Sequence, residues 1–183
     1  MSETASERKT TANGGAEESI NSKKEGLREY LRLVRQATNG PLSPDEVASL
    51  NTAVVDHGLG GYDILLGTVF TEVGPQCVVA QLTVGETHLQ PWGLANGGVY
   101  CSLGETVGSV AGYIAAGAKP AVVGVNNNTD FYRSARAGDV IVSTGTPVHL
   151  GRSMQVWQIH HVRQSDGKTL ARTNLRVAVL SES

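Results

Sequence analysis

The chain has 183 residues, 40% hydrophobic and 17% charged, with 22 glycines and a formal net charge of −2. That size and composition fit one globular domain with a single core plus a tail, and the small net charge gives no electrostatic case for nucleic acid or an anionic membrane, which leaves a small molecule as the expected partner. Two cysteines, Cys77 and Cys101, are too few for a disulfide framework, so a reducing, cytoplasmic setting is expected.

Residues 1–21 are rich in Ser, Thr, Glu, Gly and Asn and hold no apolar stretch, which argues against a signal peptide and predicts a disordered leader. Ser22 and Glu25 have capping-box spacing, and Leu27, Tyr30, Leu31 and Val34 then recur at helical spacing up to Asn39 and Gly40. Ser43-Pro44-Asp45-Glu46 repeats the start signal, and Val47, Leu50 and Val54 give a second helix its apolar stripe as far as Gly58. Residues 22–58 are thus expected to supply two N-terminal helices that pack on the main domain, residues 59–183. From Tyr62 the apolar period changes to two, predicting strands over 62–73 and 77–87. The segment 97–116 reads as a helix, and β-rich runs follow at 120–132, 138–149, 153–164 and 169–180. Asp166-Gly167 marks a tight hairpin, and consecutive strands joined by short turns imply an antiparallel sheet. This order predicts an α+β architecture, a sheet wrapped around one central helix.

Glu105 is the only charged residue between Leu89 and Ala118. The span 98–118 is apolar enough to raise the membrane question, but it is Gly/Ser-rich, lacks basic flanks and carries this acid. A mid-helix acid costs roughly 2.5–3.5 kcal/mol on insertion scales, so a buried soluble helix is expected, with no membrane partner. A carboxylate is rarely buried without a partner, and no Lys or Arg lies nearby in sequence, so Glu105 is expected in a cleft and is the first candidate for chemistry. On a helical wheel, Gly98, Cys101, Ser102, Glu105, Gly108, Ser109 and Gly112 share one side, while Val99, Leu103, Val107, Val110 and Ile114 form the side to bury on a sheet. Each interior glycine costs about 1 kcal/mol of helix propensity, so those on the acid's side are expected to admit a ligand or a closely packed second helix. At the helix start, Asn96-Gly97-Gly98 offers N–H groups without intrahelical partners at the positive end of the macrodipole. With Glu105 two turns further in, the set reads as a base or nucleophile facing an oxyanion hole, which suits acyl transfer. Neither a phosphate-binding Gly-Lys-Ser/Thr, nor Rossmann spacing, nor Gly-x-Ser-x-Gly occurs.

The stretch from His88 through Gln90 to Asn96-Gly97-Gly98, followed by Glu105-Thr106 and Ser109, resembles the signature of the hotdog-fold acyl-CoA thioesterases. The nearest types are those of phenylacetate degradation, of Arthrobacter-type hydroxybenzoyl-CoA hydrolysis and of proofreading in enterobactin synthesis. Residues 123–139, the run Thr146 to Arg152 and the closing Leu170 to Asn174 resemble later strands of that family, so the likeness spans residues 60–180. The resemblance implies a hotdog fold, dimers or tetramers with active sites between subunits, and an acyl-CoA substrate, with no cofactor or metal besides the coenzyme A of the substrate. It implies Glu105 as general base or nucleophile, the Gly97 N–H as oxyanion donor, Gln90 as the group positioning the thioester carbonyl, and Thr106 and Ser109 as holders of water or the leaving thiol. Gly98, Asn128, Phe131, Arg133, His149, Gly151, Arg152 and Ser153 lie in or next to segments that match those lining the coenzyme A groove. One position departs: where these relatives have His-Gly-Gly, this chain has Asn96-Gly97-Gly98, and Asn can donate and accept hydrogen bonds but carries no proton at neutral pH.

Other candidates rank lower. Cys101 lies one turn before Glu105 without a histidine placed near it, which favours helix packing over a nucleophile. His160 and His161 are adjacent on a predicted strand and so point to opposite faces, which argues against a shared metal site. Arg133, Arg136 and Arg152 could meet coenzyme phosphates or stand as solvated strand-end residues. Alternatives to hydrolysis are a non-catalytic acyl-CoA binder or sensor, motivated by Asn96, and a hotdog dehydratase or hydratase, although neither Asp-x4-His nor Asp-x5-His occurs.

Overall fold

In the computed structural model, which describes the backbone of residues 6–180 and side chains from Ile20 onward, the alternating apolar pattern after residue 68 builds one six-stranded sheet. Four helices accompany it: α1 (Ser6–Gln36), α2 (Pro44–Val55), α3 (Gly61–Leu66) and α4 (Gly97–Ala115). The strands are β1 (Val69–Val73), β2 (Val78–Thr83), β3 (Val122–Phe131), β4 (Val140–Leu150), β5 (Met154–Arg163) and β6 (Thr169–Val179). Their order is β1-β2-β4-β5-β6-β3, and every neighbouring pair is antiparallel. Gly167, at φ 66°, closes the β5–β6 hairpin, with Asp166 paired to Arg163 and Lys168. This is the expected α+β hotdog architecture, a sheet wrapped around the long apolar helix.

Helix α4 holds the middle because its apolar residues are consumed by two clusters. Val107, Ala111 and Ile114 pack with Trp157, Ile159, Leu175 and Val177, while Val99, Tyr100 and Leu103 pack with Leu82, Ile141 and Leu170. The first cluster also takes in Leu33 and Val34 of α1 and Val47, Leu50 and Val54 of α2, so the N-terminal helices share the core of the sheet. Helix α2 starts as its sequence dictates: the Ser43 hydroxyl accepts the Glu46 N–H, and the Glu46 carboxylate accepts the Ser43 N–H at 2.8 Å.

Three expectations are corrected. The leader expected to be disordered over 1–21 is helical from Ser6, because α1 runs on N-terminally from its anchored apolar stripe; residues 1–5 lie outside the described residues. Once Leu33 and Val34 fix one turn, each further helical residue adds a hydrogen bond without a new nucleation penalty. Ser22 therefore caps nothing, and its hydroxyl instead shares a 2.9 Å hydrogen bond with His57 Nδ1. The strand expected from Tyr62 begins only at Val69, since residues 61–66 form α3, stopped by Gly67 in the left-handed region at φ 69°. The two helices expected over 22–58 are α1 and α2, and α3 adds a short third one before the sheet.

The third correction concerns α4. Gly108 and Gly112, read as part of an open acidic side, are buried against the sheet together with Gly104. A Cβ would sit 2.7 Å from Thr173 at Gly104, 2.5 Å from Leu175 at Gly108 and 3.2 Å from Val177 at Gly112, so this four-residue repeat is the track on which α4 meets β6. A wheel sorts residues by polarity, and glycine carries none; the curl of the sheet decides that it is covered.

Candidate active site

Two turns of α4 separate the groups expected to act together. Gly97 and Glu105 are eight residues apart, which at 1.5 Å per residue is about 12 Å along the helix. Accordingly they open on different clefts. Gly97 lines one with Gln90, Tyr100, Phe131 and Arg133; Glu105 lines another with Tyr62, Cys101, Ser102, Thr106 and Asn127. The expectation that the helix start and the acid face one cleft fails within a single chain.

The helix start itself is well formed. Asn96 is the N-cap, at φ −64° and ψ 140°, and its Oδ1 accepts the Gly98 N–H at 2.8 Å. Among the described residues the Gly97 N–H has no hydrogen-bond partner, so it remains available to an oxyanion. The Phe131 ring lies over Gly97, where a Cβ would be 3.0 Å from its edge, so only glycine admits both the ring and an approaching carbonyl. The amide that replaces the relatives' imidazole thus has a structural task. Asn96→Ala is expected to lower stability by about 1 kcal/mol, with Asn96→Ser close to the parent, as read by urea unfolding.

Glu105 is half-buried and, among the described residues, makes no ion pair. Two neutral donors hold it instead. Ser109 Oγ donates to Oε1 at 3.3 Å, and Asn127 Nδ2 donates to Oε2 at 3.1 Å and to the Cys101 carbonyl at 3.0 Å. A Cβ on Gly124 would collide with Oε1, so that glycine of β3 makes the carboxylate's seat. Gly124 and Asn127 were not singled out from the sequence; a glycine and an Asn126-Asn127-Asn128 run inside a strand, both poor strand formers, were the available signal. Thr106 Oγ1 donates to Asp63 at 2.7 Å, tying α4 to α3, so towards water or a thiol in the Glu105 cleft its oxygen can act only as an acceptor. Tyr62 and Ser102 hydroxyls bond at 2.8 Å on the rim.

The segments expected to line a coenzyme A groove lie apart. Phe131 ends β3 and Arg133 follows just after it, both beside Gly97, whereas Gly151 and Arg152, in the β4–β5 turn, line a cleft with Ala115 and Ala116 at the far end of α4. About 27 Å of helix lies between them. The reason is topological: β3 runs back along α4 to its start, and β4 runs away from it. Asn128, His149 and Ser153 are exposed, and Arg133 donates to the Thr169 carbonyl at 2.9 Å. Gly98 is exposed and lines a fourth cleft with Asn96, Tyr62 and Leu65.

The histidine pair splits as the strand alternation requires: His160 is half-buried and His161 fully buried. His161 bonds Ser143 and Thr173, and meets the Tyr100 ring edge-on at 5.7 Å. Burial, with a smaller contribution from His160, pushes its pKa down to about 3. In the unfolded chain an ordinary histidine takes a proton near pH 6.5, and the folded one does not until about pH 3. Between those values the unfolded state binds the extra proton, so stability present above pH 6.5 falls as pH drops, by about 1.4 kcal/mol per unit at most from this group. Urea unfolding from pH 4 to 7 checks this, and His161→Gln should flatten the profile.

Comparison with known proteins agrees with this fold. A family model described as "Thioesterase superfamily" matches residues 93–170, which span α4 and most of the sheet. A protein of Mycobacterium tuberculosis designated an esterase is 40% identical over 138 residues, covering 74% of this chain and 93% of that one. The 1,4-dihydroxy-2-naphthoyl-CoA hydrolase of Escherichia coli is 37% identical over 111 residues, covering 61% and 80% respectively. The crystal structure of a Haemophilus influenzae thioesterase superposes with a TM-score of 0.65 at 30% identity, covering 74% of this chain and 90% of that one. The chain therefore belongs to the thioesterase superfamily and is a hotdog-fold thioester hydrolase by class.

Proposed function

We propose that this protein hydrolyses an acyl or aromatic acyl thioester of coenzyme A to the free acid and coenzyme A, with Glu105 as base or nucleophile. The observation that carries it is the Glu105 carboxylate, which among the described residues pairs with no cation and is held by two neutral donors in an open cleft. As base, Glu105 takes a proton from water while the water oxygen bonds the thioester carbon. The oxyanion rests on the Gly97 N–H with Gln90 beside it; its collapse breaks the C–S bond, and the thiolate leaves with the proton. No cofactor or metal enters this scheme, and the free thiols Cys77 and Cys101 favour a cytoplasmic setting.

In this reading the site is completed by a second copy of the chain. The 12 Å separation within one chain asks for it, and β3 is a sheet edge with Val123 and Val125 43% and 51% exposed, next to Gly124 and Asn127. Antiparallel docking of two such edges would bring Gln90 and Gly97 of one copy toward Glu105 of the other, in a dimer or tetramer. An assay of free thiol release over aromatic and aliphatic acyl-CoAs tests the activity; binding without turnover would sink it in favour of an acyl-CoA binder. Mixing Gln90→Ala and Glu105→Ala subunits should restore turnover that neither has alone, and no restoration would place the site in one chain.

A further inference from the structure

Hydrogen bonds join Ser143 at the core to Glu105 at the surface through four side chains. Ser143 Oγ meets His161 Nδ1 at 2.8 Å, His161 Nε2 meets Thr173 Oγ1 at 2.9 Å, and Thr173 Oγ1 meets Thr129 Oγ1 at 2.8 Å. Thr129 Oγ1 then donates to Asn127 Oδ1 at 3.0 Å, and Asn127 Nδ2 reaches Glu105 Oε2 at 3.1 Å. Ser143, His161 and Thr173 are fully buried, on β4, β5 and β6, and Thr129 and Asn127 stand on β3. Gly104 leaves the room that Thr173 occupies, since a Cβ there would be 2.7 Å from its side chain.

The direction of every bond follows from proton counting. Asn127 faces two acceptors on one side, the Cys101 carbonyl and Glu105, so its NH2 must point there and its oxygen toward Thr129. Thr129 has one hydroxyl proton and gives it to that oxygen, so Thr173 must donate to Thr129. Thr173 has then used its own proton and must accept from His161 Nε2–H. A neutral imidazole protonated at Nε2 leaves Nδ1 bare, and Ser143 must donate to it. Burial, which holds His161 neutral at physiological pH, agrees with this state. All five bonds therefore point from the core to the carboxylate. Aligned chains of this kind polarise one another.

We infer that Asn127 is a positioning residue for Glu105, its amide oriented by the two acceptors it faces and anchored on its oxygen by Thr129, which couples it through Thr173 and His161 to Ser143. A flipped amide would set its oxygen against Glu105 and the Cys101 carbonyl, and every bond of the relay would have to reverse with it, His161 passing to the Nδ1–H tautomer. The functional consequence rests on Glu105 being the catalytic carboxylate, but the relay itself does not.

The test uses Thr129, which is half-buried on an edge strand and touches no reacting group. Thr129→Val removes its hydroxyl at constant shape, and Thr129→Ser keeps it. Thr129→Val is expected to lower kcat roughly tenfold with KM unchanged, as for a misoriented catalytic group, while Thr129→Ser stays within about twofold of the parent. Nitrogen-15 NMR of the parent protein should show His161 as the Nε2–H tautomer, and the Asn127 side-chain amide signals should move in Thr129→Val but not in Thr129→Ser. A Nδ1–H tautomer, or a folded Thr129→Val with parental kcat and unmoved Asn127 signals, overturns the inference. Should the parent hydrolyse no acyl-CoA, the thioesterase reading fails by itself, and the tautomer with the Asn127 signals still decides the relay.

Discussion

Glu105→Gln is expected to lower kcat by roughly 10²–10⁴-fold, the range that a positioned general base contributes, while the protein stays folded. The two effects separate because Glu105 serves no structural partner. Its neighbours are a serine hydroxyl and an asparagine amide, both able to meet a glutamine, and among the described residues no cation loses a counterion when the charge is removed. A half-buried carboxylate without a counter-charge is itself an unfavourable arrangement, so its neutral isostere should leave stability within about 0.5 kcal/mol or raise it. Thiol release against acyl-CoA concentration gives kcat and KM, and thermal unfolding gives the stability. A Glu105→Gln enzyme with parental kcat would remove Glu105 from the chemistry. A large drop in Tm would mean that the carboxylate holds the fold together through contacts other than those to Ser109 and Asn127.

Glu105 could be found in the sequence because charge is a local property, and one acid in a run of thirty residues otherwise uncharged stands out without any fold. The later strands and the Asp166-Gly167 turn were legible for a similar reason, since period-two alternation and turn chemistry act over a few residues. What holds Glu105 was not legible. Gly124 and Asn127 reach it only because β3 pairs with β6 across a bulge between Gly124 and Asn126, and that register is set by the whole sheet. Helix α3 was read as strand because six residues are too short to show a helical period, and Tyr62 and Leu65 are 63% and 79% exposed, so burial did not pattern them. The separation of Gly97 from Glu105 was in the sequence as eight residues of helix, about 12 Å, but the likeness to a family with shared sites between subunits was needed to give it a meaning.

The glycines of α4 carry the other large expected effect. Gly108→Val should lower stability by about 3 kcal/mol or more, because the new Cβ would sit 2.5 Å from Leu175 Cδ2 and 3.3 Å from Ile159 Cδ1. Neither neighbour can step aside, since both are fully buried and packed with Trp157 and Val177. The helix propensity gained on replacing glycine, under 1 kcal/mol, is too small to offset this, which decides the sign. For a chain of 183 residues, that loss corresponds to a fall in Tm of roughly 6–12 °C. Gly61→Ala is the matched control: nothing lies within 4 Å of its Cβ position, so its Tm should stay near the parent's. If Leu175 blocks the substitution, then Gly108→Ala combined with Leu175→Ala should be less destabilised than the sum of the single changes, because the two sites share one space. A Gly108→Val protein as stable as the parent would mean that α4 does not meet β6 along this track. The seat of Glu105 between α4 and β3, and the opening that Gly104 leaves for Thr173, would then have to be built differently.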